Sequence, residues 1–588
     1  MTKSSLSGRI LDENACARNV DECSDNAKIN ECRDWFIKHV TLGGQPYTLD
    51  SDQARAVFDS HKNTLVTARA GSGKTRVIVA KIAYLVASGQ ARLSEVAAFM
   101  FNRTAAAEVN TRIADVRVDG RTLAEIDGNP DQAIKTASTF HKFALDVTKI
   151  AGAKYQIISE SEHEWLVKNS LDQAILRRHQ KISSSEYVEL LKLTSTFIAR
   201  AGQKYVGRNS CGGLKGEVYN YYLLNRNNPA YQKHIRTHVL AATAFEIYLK
   251  SIQPPRIDFN LLMTQATDLM LDCAKNNSKS TMQQNLYQRI SPLRYILVDE
   301  YQDFSFLFLS IIHAMRELCP EAHLFAVGDD WQAINRFAGS DVDYFIHFSE
   351  YFPEDVTNIP LMTNYRSARR IVENANNYML KNYDHDATRA IPFSRQKGNI
   401  KHLNPQKIRF DMTDIREDGL GDARYQVALL DTISSVASLI PESQQKSLVP
   451  AARLLKAVVK IIKKHRHSQI MLLHRHNFTS IPGVTLEIFM SALKETLISQ
   501  AILTESEFDQ QIRCLTMHKS KGLESEIVIL LELDREIVLN SHPHAALFSL
   551  FGDSLDTERA DQHRLLYVAM TRAKQQLYIL SSDRIAPF

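Results

Sequence analysis

A chain of 588 residues, 44 % hydrophobic and 23 % charged, is too long for one domain and too apolar to be disordered, and at roughly 100–200 residues per domain it should hold three to five structural units. No apolar run approaches the roughly eighteen residues needed to cross a bilayer, and no apolar stretch follows the first charges, so neither membrane anchor nor secretory signal is expected and the cytoplasm is the default compartment. The net charge of +5 permits a nucleic-acid partner without identifying one, and seven cysteines with no C-x-x-C pair argue against a disulfide framework. Cys16, Cys23, Cys32 and His39 match no standard zinc spacing and are read as reduced thiols beside an ordinary histidine.

The first buried strand is expected at Thr64–Thr67. Behind it, Ala68, Arg69, Ala70, Gly71, Ser72, Gly73, Lys74 and Thr75 fit the phosphate-loop pattern with alanine in place of the first glycine, and a helix is predicted over Arg76–Val86. The two glycines let backbone N–H groups turn toward phosphate oxygens, and the helix N-terminus adds positive potential. Lys74 would neutralise the β- and γ-phosphates of ATP, and the Thr75 hydroxyl would bind Mg²⁺. A second strand is predicted at Val96–Phe101, and between Phe143 and Pro254 the pattern changes to long amphipathic helices.

Strands resume at Tyr295–Val298 and Leu324–Val327. Asp299 and Glu300 follow the first of these directly, where a carboxylate at a strand's C-terminal end lies beside a phosphate loop. Asp299 would hold Mg²⁺ and Glu300 would orient and deprotonate the attacking water. Residues 390–465 are turn-rich and then helical over Ala451–Arg466, whose basic face (Lys456, Lys460, Lys463, Lys464) is read as solvated in preference to touching DNA. Further strands are predicted at Ile470–Leu473, Ile527–Leu530 and Leu577–Leu580. Strands alternating with helices, in clusters before about residue 350 and after about 465, indicate two parallel α/β sheets.

Taken together, these residues resemble the superfamily 1 helicases of the UvrD and Rep type over about residues 45–580. Leu49–Gln53 resembles that family's adenine-reading glutamine motif, and Phe101–Ala106 and Thr139–Phe143 resemble its DNA-contacting segments. Gly328–Gln332 with Phe337–Gly339 resembles the segment coupling ATP to DNA, and Asn364–Ser367, Thr516–Glu524 and Leu566–Ala573 complete the ordered set. The pattern is most similar to the helicase IV branch, which also carries Gly-Asp-Asp-Trp-Gln and leaves little room between the strand ending at Arg475 and Thr516.

The resemblance implies two RecA-like P-loop domains, with a helical insertion in the first and the large UvrD-type insertion of the second missing or vestigial. The expected boundaries are a short N-terminal extension (1–44), lobe one (45–143 and 256–350) interrupted by a helical subdomain (144–255), and lobe two (351–588). It implies arginine fingers at Arg366 and Arg572, a γ-phosphate contact at Gln332, adenine stacked between Tyr365 and Arg76 and read by Gln53, and a ribose contact at Glu524. Phe101, Arg103, Thr139, His141, Phe337, Thr516 and His518 would contact single-stranded DNA, the aromatics stacking on bases without demanding sequence. The implied activity is 3′–5′ translocation on single-stranded DNA and opening of tailed duplexes, driven by ATP with Mg²⁺, in repair, recombination or defence.

Asn335, Ala338 and Thr104 depart from the family's tyrosine, arginine and lysine, and Ala560–His563 from a more acidic run, which bears on step efficiency and DNA affinity rather than on hydrolysis. The alternative is an ATP-driven remodeller that displaces proteins from DNA or RNA polymerase, although only about forty residues precede the glutamine motif, too few for the long arm such factors carry. No nuclease domain is expected after the last motif; a separate nuclease or loading partner stays open, as does the oligomeric state.

Overall fold

The computed structural model describes residues 27–128, 136–205, 218, 227, 235–276, 280–383, 388–405, 448–476, 484–533, 549–552 and 554–581. They form two compact units. The first comprises the described residues through Ala68 together with Gly73–Asp330 and Asn335–Leu361; the second comprises Arg69–Ser72, Trp331–Ile334 and the described residues from Met362 onward.

In the first unit a six-stranded, wholly parallel sheet runs in the order Val356–Leu361, Asn63–Ala68, His323–Gly328, Tyr295–Val298, Val96–Phe99, Ala137–Ser138. Its central strands Tyr295–Val298 and His323–Gly328 are near-continuous apolar runs, and Asn63–Ala68 is buried at every residue but Thr67, as a sheet covered on both faces requires. Strand Val356–Leu361 escapes the periodicity argument because it is a half-exposed edge strand carrying Pro360, and edge positions are where proline is tolerated. It extends the first sheet past the expected boundary at 350, so the chain enters the second unit near Met362.

The other edge is closed differently. The outward backbone of Ala137 is satisfied by one side chain: Asn110 Nδ2 donates to the Ala137 carbonyl (2.8 Å) and Asn110 Oδ1 accepts from the Ala137 N–H (2.9 Å). A small antiparallel sheet, ordered Gln45–Pro46, Val40–Leu42, Val116–Val118, Arg121–Thr122, ties the segment before residue 44 to the body of the unit.

Among the described residues, the helical insertion includes Glu160–Arg177, Ser184–Tyr205 and Ile235–Ser251 around Leu171, Ala174, Leu190, Leu240, Ala244 and Ile247. Helix Phe140–Ile150 runs across the expected boundary at 143, so the insertion proper begins after it. A short parallel pairing of Gln156–Ile157 with Arg256–Ile257 brings its two ends together.

The second unit holds a five-stranded parallel sheet in the order Asn399–Leu403, Ala573–Leu580, Ser525–Leu530, Ile470–His474, Ile512–Thr516. The Asn399–Leu403 strand was not expected; it is an edge strand of mixed polarity with every residue half-buried. Between Arg475 and Thr516 the described residues form helix Leu486–Ser499, a second helix, Glu505–Gln511, and strand Ile512–Thr516. Residues 477–483 lie outside the described residues, and the described part of this stretch contains no large subdomain.

Cys32, Cys273, Cys319 and Cys514 are not joined in disulfides. Cys16 and Cys23 lie outside the described residues, and His39 bonds Asp119 through Nδ1 at 2.7 Å. Among the described residues no helix is long and apolar enough to cross a membrane.

Candidate ATPase and DNA-contacting site

The phosphate loop leaves strand Asn63–Ala68 and enters helix Lys74–Ala87 through Gly73, whose φ of 88° lies in the left-handed region that glycine favours. Gly73 caps the helix without a side-chain bond, so no side-chain cap occupies its first-turn N–H groups. Lys74 Nζ lies 3.8 Å from Glu300 Oε2. Glu300 itself has φ 51°, a strained setting for a residue with a side chain. Gln302 Nε2 donates to Glu300 Oε2, while Gln302 Oε1 accepts from the Asp329 N–H at 2.9 Å, so one buried amide fixes the glutamate against the end of the neighbouring strand. Asp299 is buried and accepts from the Glu300 N–H at 2.9 Å.

Gln53 closes a capping box with Asp50, and a Cβ added to Gly73 would stand 2.9 Å from Gln53 Nε2. Arg76 donates to the Thr48 carbonyl (3.0 and 2.7 Å) and lies 4.5 Å over the Tyr47 ring, whose hydroxyl returns a bond to the Arg76 carbonyl (2.7 Å). Burial pushes the Tyr47 hydroxyl up to about 12. Tyr47 had no local signal in the sequence, because its partner lies 29 positions away.

In the second unit, Arg572 is buried and donates to the carbonyls of Val568 (2.8 Å) and Leu523 (3.2 Å) and to Gln332 Oε1 (3.2 Å). Lys521 Nζ donates to the Gln332 carbonyl at 2.8 Å, a contact the motif pattern did not single out. Arg366 Nε donates to Glu524 Oε2 at 2.7 Å, and Lys574 pairs with the other carboxylate oxygen at 2.6 Å. Burial alone would raise Glu524, but Lys574 and Arg366 outweigh it and hold the carboxyl below its ordinary value. Asn364 Nδ2 donates to the Ala70 carbonyl (2.6 Å) and the Tyr365 N–H to the Gly71 carbonyl (2.9 Å), while Arg69 stacks 4.0 Å over Trp331. The Ala70 and Gly71 carbonyls are thereby engaged, and within the loop the Ser72 N–H donates to the Arg69 carbonyl at 3.1 Å. Ser72 is buried, and Tyr365 is exposed with its ring 4.8 Å from Phe393.

Of the proposed DNA contacts, Phe101 and Phe337 are among the most exposed large apolar residues, at 47 % and 53 %. Arg103 opens helix Arg103–Asp115, and Thr139 caps helix Phe140–Ile150 by accepting from the Lys142 N–H. His141 packs edge-on against Phe259 and Phe308, and burial, with Arg103 adding, pushes it below an ordinary imidazole. Phe101, His141, Asp299 and Glu300 line one narrow cavity of about 20 Å³, room for about one water. Thr516 ends its strand. Burial, with Arg475 and His476, pushes His518 down to about 4.

The oxygen donors Thr75 and Asp299 suit a hard cation, and among the described residues no cluster of three or more His, Cys, Asp or Glu forms a metal cage. Such a donor set fits Mg²⁺, which takes one or two protein oxygens and completes its shell with phosphate and water.

Profiles of two families match this chain: the UvrD/REP helicase N-terminal domain over residues 49–353 and the UvrD-like helicase C-terminal domain over 424–584. DNA helicase IV of Escherichia coli is 27 % identical over 92 % of this chain and 69 % of its own length. A probable DNA helicase of Mycoplasma pneumoniae is 26 % identical over 91 % and 83 %. The ATP-dependent DNA helicase Rep of Salmonella typhimurium is 28 % identical over 56 % of this chain, which spans 42 % of that relative.

Proposed function

This chain belongs to the UvrD/Rep helicase family, and we propose that it is an ATP-driven motor that moves 3′ to 5′ along single-stranded DNA and opens tailed duplexes. The observation that carries the reading is Lys74 held 3.8 Å from Glu300 at an uncapped helix N-terminus, with Gln302 fixing the glutamate. The N–H groups of Gly71–Thr75 cradle the triphosphate and Lys74 neutralises its terminal charge. Glu300 orients the attacking water and takes its proton as the new P–O bond forms and the bond to ADP breaks. Arg366, Arg572 and Gln332 stabilise the charge on the transferring group. Thr75 and Asp299 would hold Mg²⁺, which when bound neutralises phosphate charge. Gln53, Arg76, Tyr365 and Glu524 serve the nucleoside. Arg103, Thr139, Thr516 and His518 hold the strand's backbone, while Phe101, His141 and Phe337 meet its bases.

The test is the ATPase rate with and without oligo-dT, beside strand displacement on 3′- and 5′-tailed duplexes. The expected result is stimulation by oligo-dT and opening of the 3′-tailed substrate alone. Equal opening of both substrates would remove the polarity, and unstimulated turnover would remove the motor.

A further inference from the structure

Helix Leu448–Lys464 contains no Asp or Glu, and its buried side packs Leu454, Leu455, Val458, Val459, Ile461 and Ile462 into the core of the second unit. Lys456, Lys460 and Lys464 recur every fourth residue along the other side, joined by Lys463. The stripe ends beside a strand: the Lys464 ammonium is close enough to Lys401, on edge strand Asn399–Leu403, to hold it below an ordinary lysine. Lys401 also stands 5.9 Å from the centre of the Tyr578 ring, whose hydroxyl bonds His465 Nε2 at 2.8 Å. His465 is held below an ordinary imidazole by burial first, and by Lys464 and Lys401 after it.

A lysine on an edge strand usefully keeps that edge solvated, but that role needs no second ammonium against it. Two neighbouring ammonium groups repel unless an anion lies between them. Among the described residues no carboxylate pairs with Lys401, Lys460, Lys463 or Lys464; the nearby Glu507 faces His467 and Arg466 instead.

We propose that this stripe is a second nucleic-acid contact, which grips the phosphate backbone of duplex DNA through Lys401, Lys460 and Lys464. The helix ends just before strand Ile470–His474, at the N-terminal side of the parallel sheet, whereas Thr516 and His518 lie at the C-terminal ends of its strands, so the two contacts are separate. From Lys456 to Lys464 the helix rises ~12 Å, the length of three to four phosphates at about 3.4 Å per strand. Among the described residues no exposed aromatic side chain lies within the stripe to stack an unpaired base, which favours backbone contact over single-strand reading. It also has no apolar anchor of the kind that dominates protein interfaces.

The test uses the full chain with Lys401→Ala, Lys460→Ala and Lys464→Ala combined. Binding of a blunt duplex and of oligo-dT is measured by anisotropy across a salt series, with the ATPase rate alongside. The expected result is a loss of about tenfold or more in duplex affinity at low salt and a salt slope shallower by about 0.9 per lysine. The inference goes beyond the proposed motor activity, so oligo-dT affinity and oligo-dT-stimulated ATPase should stay unchanged. A parallel triple Lys→Arg variant should keep the duplex slope, which separates lost charge from a damaged fold. Unchanged duplex affinity overturns the proposal. So does an equal loss on oligo-dT, which would assign the stripe to the single-strand track, or competition by poly-glutamate as effective as by duplex, which would make it a general anion surface. Absence of ATPase stimulation in the parent protein would sink the motor while leaving the duplex result standing.

Discussion

Glu300 combines a left-handed backbone, a buried amide partner and a lysine at 3.8 Å, and each of these constrains where its carboxylate points. Glu300→Gln keeps the shape and removes the base; hydrolysis should slow at least a hundredfold while nucleotide and DNA still bind. Near-normal turnover in that variant would remove the assignment. Arg366→Ala should cut hydrolysis by orders of magnitude and leave nucleotide-free binding of oligo-dT nearly unchanged; a fall in salt-dependent DNA affinity with basal turnover intact would make it a DNA contact instead. His518 and Arg103 differ in charge. Held near 4, His518 is neutral at pH 7.5, so His518→Asn should not alter the salt slope of oligo-dT binding, whereas Arg103→Ala should lower it by about 0.7. The same depression has a stability consequence. Below the ordinary value of 6.5 the unfolded chain takes up a proton that folded His518 refuses until about 4, so stability is lost as pH falls through that window. Urea unfolding between pH 7.5 and 5 should show a flatter decline for His518→Gln. Positions at this scale were legible where one short segment holds both a strand and the polar residues after it, as with Asp299 and Glu300 behind Tyr295–Val298. The Tyr47–Arg76 stack and the grip of Lys521 on Gln332 were not, because their partners meet only in the fold.

Among the elements, buried parallel strands announced themselves as apolar runs: Tyr295–Val298 was expected with those limits, and Asn63–Ala68 and Ile470–His474 within a residue or so at each end. Edge strands did not. Val356–Leu361 and Asn399–Leu403 are stabilised by hydrogen bonding to one neighbour and by partial burial, which leaves no run of apolar residues to read. The turn into helix Lys74–Ala87 depends on one residue. Gly73→Ala would force a Cβ to 2.9 Å from Gln53 Nε2 and into a left-handed backbone, costing roughly 1–2 kcal/mol. Nucleotide affinity should fall at least tenfold, measured by titration of a fluorescent ADP; unchanged affinity would show that the loop can rearrange freely.

At the scale of the whole molecule, the described chain between Arg475 and Thr516 builds two helices and a strand, and no large mobile subdomain. Stimulation by single-stranded DNA should therefore need no partner. Any hold on duplex by a lysine stripe is screened by salt, so single-turnover unwinding of long tailed duplexes should shorten steeply between low and physiological ionic strength. Separation of several hundred base pairs per binding event at physiological salt would contradict this. The sheet of the first unit has its own bearing on behaviour in crowded solution. Asn110 impersonates the next strand, offering Ala137 one donor and one acceptor where a seventh strand would have done so. It works as a full stop at the end of a sentence that another copy could otherwise continue. Asn110→Ala would leave that margin open to a stranger's backbone, and the first symptom should be molecules that fold, bind nucleotide and then slowly join edge to edge.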